Sequence, residues 1–238
     1  MKKSNIDSAP IFDNNSAKNF VNELFDNIRL SKSVEDLQLI SKKFKYGPHL
    51  EKKMPDKAFP RLRLRVSTEE INILKQMGII TDNMQFSTNL ADGDVISGRK
   101  MSALEKLLYS VLWKNGDLGK EHHLLNGIVG NSHPGKFGAV FNEFGGYLAG
   151  QHYYILDQHT LRCFAVYTSS KDGITGARCL DQINVTNPQH VEWIKHYKAF
   201  YQEISKNLMC EKSDFLYYVD RLLFGSGKLI KLKKGNIL

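Results

Sequence analysis

Apolar residues return at helical spacing in segment after segment, and this rhythm constrains the fold of the chain more than any other feature. Leu104, Leu107, Leu108, Val111 and Leu112 fall at i, i+3, i+4, i+7 and i+8, which places them on one face of a helix. The same spacing marks Phe20, Leu24, Phe25 and Ile28 within 15–31, and Val34, Leu37, Leu39, Ile40 and Phe44 within 33–45. It returns in Phe137, Val140, Phe141, Phe144 and Leu148, and after Asn187-Pro188 in Val191, Ile194, Tyr197, Tyr201 and Ile204. Ser213-Asp214 opens the last such stretch, with Leu216, Val219, Leu222 and Leu223.

Start and stop signals punctuate these runs. Ser67-Thr68-Glu69-Glu70 has capping-box character, and Asp157 is placed to cap a helix beginning at the next residue. Asn115-Gly116-Asp117 stops the 104–113 helix, a short helix over 118–128 follows, and Gly150 ends the helix after the 130–135 turn. Gly225 and Gly227 read as terminators of the last helix. Arg61-Leu62-Arg63-Leu64-Arg65 alternates strictly, as a short strand does, but lacks an obvious partner strand, and 79–98 is irregular. The expected fold is all-α, with two helical lobes and a hairpin-type DNA-binding turn between them.

The expected organisation is a tail over 1–14, an N-terminal helical region over 15–98, a helical core over 99–228 and a basic tail over 229–238. A chain of 238 residues that is 42% hydrophobic is long enough to bury a sizeable core. No apolar run approaches the roughly 18 residues needed to cross a bilayer, so no membrane span is expected. The polar start shows no secretory signal, and Cys163, Cys179 and Cys210 are too scattered for a disulfide framework or a metal pair. A cytoplasmic setting without cofactor follows.

The net charge of +8 is concentrated in one window. Residues 41–65 hold six lysines and three arginines against Glu51 and Asp56, a net +7. Lys42, Lys43, Arg61, Arg63 and Arg65 are candidate contacts to a polyanion, because neutralised phosphates release condensed counterions. The alternative is a solvated basic face that aids solubility.

Chemistry concentrates between 134 and 162. Lys136 stands in the turn Pro134-Gly135-Lys136-Phe137-Gly138-Ala139, a predicted amphipathic helix follows, and Ile155-Leu156-Asp157-Gln158-His159-Thr160-Leu161-Arg162 opens another. Over roughly 100–228 this layout resembles the helix-hairpin-helix superfamily of DNA base-excision glycosylases. Its members carry a Gly-rich hairpin turn with a lysine, a helix, an apolar pair and commonly Asp-x-His-x-x-Arg. The stretches around Trp193 and over Asp220–Gly225 are similar to the family's closing helices. Only one glycine precedes Lys136, and Gln151-His152-Tyr153 lengthens the interval to Asp157.

The resemblance implies cleavage of the bond between a base and deoxyribose in double-stranded DNA. Asp157 would stabilise the oxocarbenium-like transition state or orient water, with His159 and Arg162 in support. Lys136 would form a Schiff base if it reaches the sugar carbon, adding AP-lyase activity. Gly135 and Gly138 would contact the DNA backbone. Trp113, His152, Tyr153 and Tyr154 are candidates to line the pocket for an extruded base.

Each residue also has a plainer reading: Asp157 as a helix cap, Lys136 as a surface lysine, His159 as a brace for its helix, and Arg162 in an ion pair. Glu121-His122-His123 offers no metal site, since adjacent histidines diverge on a helix. Gly225-Ser226-Gly227-Lys228 lacks the spacing of a phosphate loop. Two other functional classes stay open: a non-enzymatic nucleic-acid-binding helical protein, and a metal-dependent nuclease, for which the chain offers no clear carboxylate cluster. The sequence does not fix the base removed or the oligomeric state.

Overall fold

The structure, a computed structural model, describes residues 12–44, 47–53, 61–86, 95–96, 99–100, 103–115, 119–131 and 138–232. The fold is all-α. In chain order the helices are α1 (Asn14–Leu30), α2 (Val34–Lys43), α3 (Gly47–Lys53), α4 (Thr68–Gln76), α5 (Ala103–Asn115) and α6 (Glu121–Ile128). There follow α7 (Ala139–Leu148), α8 (Gln158–Thr168), α9 (Ile174–Arg178), α10 (Pro188–Ile204) and α11 (Lys212–Leu229). Two-residue strands β1 (Val95–Ile96) and β2 (Arg99–Lys100) pair antiparallel. No helix among the described residues is long and apolar enough to cross a membrane.

The chain divides into two compact units, one made of Met1–Leu62 with Leu156–Leu238 and the other of Arg63–Ile155. These divisions do not coincide with the boundary expected at 98/99. The first unit joins the two ends of the chain around α8, whose residues Thr160 to Val166 are all buried. A helix buried on every side belongs at the centre of a bundle, and α1, α9, α10 and α11 all pack against it. Phe25 of α1 stacks on Tyr167 at 4.1 Å and meets Phe200 of α10 at 4.9 Å. Such ring pairs add about 0.5–1.5 kcal/mol each beyond the area they bury.

Two cations tie this unit together. Lys18 donates to the carbonyls of Val166 and Ser169, at 2.9 and 3.0 Å, and to that of Tyr167, occupying acceptors left open where α8 ends. The buried Arg178 donates to the carbonyls of Ile230 and Phe12 and to the Asn14 side chain, at 2.9, 2.7 and 2.8 Å. The chain is therefore held from Phe12 onward, two residues inside the expected tail. At the other end Leu229 and Ile230 are buried where a basic tail was expected to begin.

In the second unit the main packing is α6 on α7. A Cβ at Gly127 would overlap the carbonyl of Asn142, and one at Gly145 that of Leu124. Mid-helix glycine costs roughly 0.5–1 kcal/mol against alanine; here that cost permits backbone-to-backbone approach. α7 begins at Ala139, with Gly138 as its N-cap at φ 96°, where a side chain would also strike the His123 ring.

Four expectations are corrected. The expected loop over 46–65 contains α3, whose Pro48 sits in the first turn, where a missing N–H costs nothing. Residues 61–67 are extended but pair with no strand among the described residues. The apolar stripe of α5 is not a buried face, because Leu107, Leu108 and Val111 are 65%, 57% and 56% exposed. α10 is turned so that Trp193 and Phe200 are buried with Tyr197, Tyr201 and Ile204, leaving Val191 exposed.

Candidate functional site

Asp157 caps α8. Its backbone is extended (φ −135°, ψ 156°), and its Oδ1 accepts from the His159 amide at 2.6 Å. In return the Asp157 amide donates to Thr160 Oγ1 at 3.0 Å, completing a capping box. The plain reading of Asp157 as a cap is thus correct. Burial pushes its carboxyl above the usual carboxylate range, opposed by the His159 amide, Arg162, the Gln158 amide and Lys228. Leu156, fully buried just before it, fixes where the helix begins.

Behind the cap lies a buried guanidinium. Arg162 has no exposed surface, and its Nη1 donates to His159 Nδ1 at 2.5 Å and to the Gly227 carbonyl at 2.8 Å. Its Nη2 donates to the Leu180 carbonyl, and its Nε has no hydrogen-bond partner. Arg162 therefore reaches neither outward to phosphate nor into a direct ion pair. It joins α8 to α11 and to the turn after α9.

His159 is the acceptor in this arrangement, which assigns its proton to Nε2. Burial, with Arg162, Lys228 and Lys231, holds its pKa down to about 4, against a smaller opposing effect of Asp181. The imidazole is thus neutral at physiological pH, and Phe224 meets it edge-on at 5.0 Å. His159 does brace its helix, as the plainer reading held.

α11 contributes more than its sequence announced. It does not stop at Gly225 but runs to Leu229, through both glycines. The reason is packing: a Cβ at Gly227 would overlap the carbonyl of His159, so glycine permits close approach to the first turn of α8. Lys228 follows directly, its ammonium 4.4 Å from the Phe224 ring centre and 3.4 Å from the Lys53 carbonyl. Read from sequence as part of a basic tail, Lys228 belongs to the Asp157 cluster. The overlooked signal was Leu229 and Ile230, which continue the apolar period beyond the glycines.

The other candidates distribute differently. Lys136 and Gly135 lie outside the described residues. Trp113 lies on α5, and its side chain is likewise outside the description. His152, Tyr153 and Tyr154 belong to the second unit, whereas Asp157 opens a helix of the first. His152 stacks on Tyr154 at 4.0 Å, and both face Glu143, with the Tyr154 hydroxyl 3.4 Å and His152 Nε2 3.5 Å from its Oε2. Burial and Glu143 push the Tyr154 hydroxyl well above its ordinary pKa. Tyr153 is more open, with Arg65 5.9 Å from its ring centre.

Of the basic candidates, Lys42, Lys43 and Arg63 are exposed. Arg61 is not available for DNA: it pairs with Asp214 and with Glu211 at 3.5 Å, and donates to Ser213 Oγ at 2.5 Å. Arg65 donates to the Tyr147 carbonyl at 2.5 Å and lies over the Tyr147 ring. An open cavity of about 390 Å³ lies between α1 and α2, lined by Glu23, Asp36, Lys43 and Phe44 among others, and includes none of the residues around Asp157. Against family models, curated proteins and solved structures, the chain shows no match.

Proposed function

We propose that the protein is a DNA glycosylase that removes a damaged or modified base by cleaving the N-glycosidic bond. The observation that carries this reading is Asp157, a half-buried carboxylate at the mouth of a buried helix, braced from behind by His159 and Arg162. A carboxylate so held does not reorganise as charge develops. It is suited to stabilising an oxocarbenium-like sugar or to orienting a water against it. Lys42, Lys43 and Arg63 would meet phosphates, and His152, Tyr153 and Tyr154 would meet the extruded base. If Lys136 reaches the sugar, a Schiff base and strand cleavage follow.

The test is Asp157→Asn, assayed on duplexes carrying a panel of lesions and modified bases. Base release is expected to fall by about 100-fold or more, in line with loss of a preorganised transition-state charge. Stability should move by less than about 1 kcal/mol, since Asn caps helices as well as Asp. A wild type that frees no base, or a variant as active as wild type, sinks the reading. Borohydride trapping on abasic DNA, with Lys136→Ala alongside wild type, decides lyase activity separately.

One observation favours a second reading: Lys42, Lys43 and Arg63 are exposed on a chain of net charge +8. A non-enzymatic nucleic-acid-binding protein would bind with a steep salt dependence that Asp157→Asn leaves intact, and would release no base.

A further inference from the structure

On the reading of Asp157 as the working carboxylate, we propose that Lys228 is its positioning residue, supplying from α11 the counter-charge that an ionised Asp157 needs at this partly desolvated helix start. The geometry comes from the crossing of α8 and α11. Gly227 lies against the His159 carbonyl, and Arg162 Nη1 clasps the Gly227 carbonyl at 2.8 Å. The next residue, Lys228, is thereby delivered beside the first turn of α8. Its ammonium lies 4.4 Å from the Phe224 ring centre, and that ring meets His159 edge-on. At 3.4 Å it also reaches the Lys53 carbonyl, at the end of α3.

The charged neighbours divide the work. On α8, Arg162 spends its hydrogen bonds on His159 and two carbonyls, and His159 is neutral. Beyond α9 and α11, Asp181 and Lys231 pair at 2.7 Å. On α3, the Lys53 ammonium disfavours a second cation nearby. Asp157 and Lys228 act on each other in the favourable sense: each raises the tendency of the other to stay charged, against the burial that both experience. The two groups come from opposite halves of the first unit's sequence, 71 positions apart.

The deciding measurement is an NMR titration of the Asp157 carboxyl carbon in the full chain, the resonance being assigned by its loss in Asp157→Asn. In Lys228→Met the midpoint should rise by about one pH unit, a tenfold change in proton affinity, while Lys228→Arg should hold it within about 0.3 units. The acid limb of the pH profile for base release should move with it, which a merely structural lysine would not cause. If Lys228→Met does not fold, the reciprocal titration decides. The Lys228 ε-carbon midpoint must fall in Asp157→Asn, a variant that keeps the cap.

An unmoved midpoint in either titration overturns the proposal. A coupled pair in a chain that releases no base would instead overturn the glycosylase reading, and with it the role of Lys228 at the sugar. The two failures are thus distinguishable.

Discussion

The first turn of α8 and the segment just before it, His152 to Tyr154, are neighbours in sequence but are built on different principles. Around Asp157 the polar groups are fixed from behind: one buried guanidinium serves an imidazole and two carbonyls, and the helix carrying it is apolar on every side. Around Tyr154 the contacts are made by side chains near the surface of the second unit, at 3.4–3.5 Å from a single carboxylate. A group that must keep its position while charge develops belongs in the first kind of setting. A surface that must accept a planar base tolerates the second, where adjustment costs little.

The largest test of this contrast is Arg162→Met. It removes the donors to His159 Nδ1 and to the Gly227 and Leu180 carbonyls, each acceptor left buried costing about 1–3 kcal/mol, so a loss of about 4 kcal/mol is expected. Urea unfolding measures it. A loss under about 1 kcal/mol would mean that these acceptors find other partners, and that the rigid half of the contrast is wrong.

How much of this was legible beforehand follows the range of the interactions. The caps at Ser33, Ser67, Asp157 and Asn187 were readable or close to it, because a cap is satisfied within three residues. The Asp157-x-His159-x-x-Arg162 spacing was equally local, and the hydrogen bond between His159 and Arg162 spans a single turn. What Arg162 does was not legible: its partner carbonyls lie 18 and 65 residues away, and arginine is seldom fully buried. The glycines of α11 misled for the same reason, since a glycine that ends a helix and one that admits a neighbouring backbone look alike until the neighbour is known. The stripe on α5 shows the converse, an amphipathic pattern that does not by itself bury its face.

A middle-sized effect concerns pH. The pKa of His159 is held near 4 in the folded chain, against an ordinary value of about 6.5 when unfolded. As pH falls, the unfolded chain takes up the proton first. The stability contributed by this group is therefore complete above about pH 6.5 and is lost as pH falls through the folded value. Asp157 works in the opposite sense lower down, because its raised carboxyl takes up its proton in the folded chain before the unfolded one. His190, also shifted down by burial, adds to the loss in both chains compared. The urea midpoint of wild type should thus drop more steeply between pH 7 and 4.5 than that of His159→Gln. Parallel slopes would show that the imidazole is not held neutral by the fold.

The smallest effect belongs to the open segment. Tyr154→Phe deletes a hydroxyl whose contact to Glu143 is long, at 3.4 Å, and keeps the ring that stacks on His152. The hydroxyl is also kept protonated by burial and by Glu143, so nothing about it titrates in the working range. A neutral hydrogen bond of this kind is worth about 0.5–1.5 kcal/mol, and partial exposure places this one at the low end. Urea unfolding should therefore place the variant within about 0.5 kcal/mol of wild type, roughly an eighth of the effect at Arg162. The ratio matters more than either number. If Tyr154→Phe costs as much as Arg162→Met, the aromatic segment is as rigidly founded as the cap, and a pocket that yields to the shape of its base must be sought elsewhere.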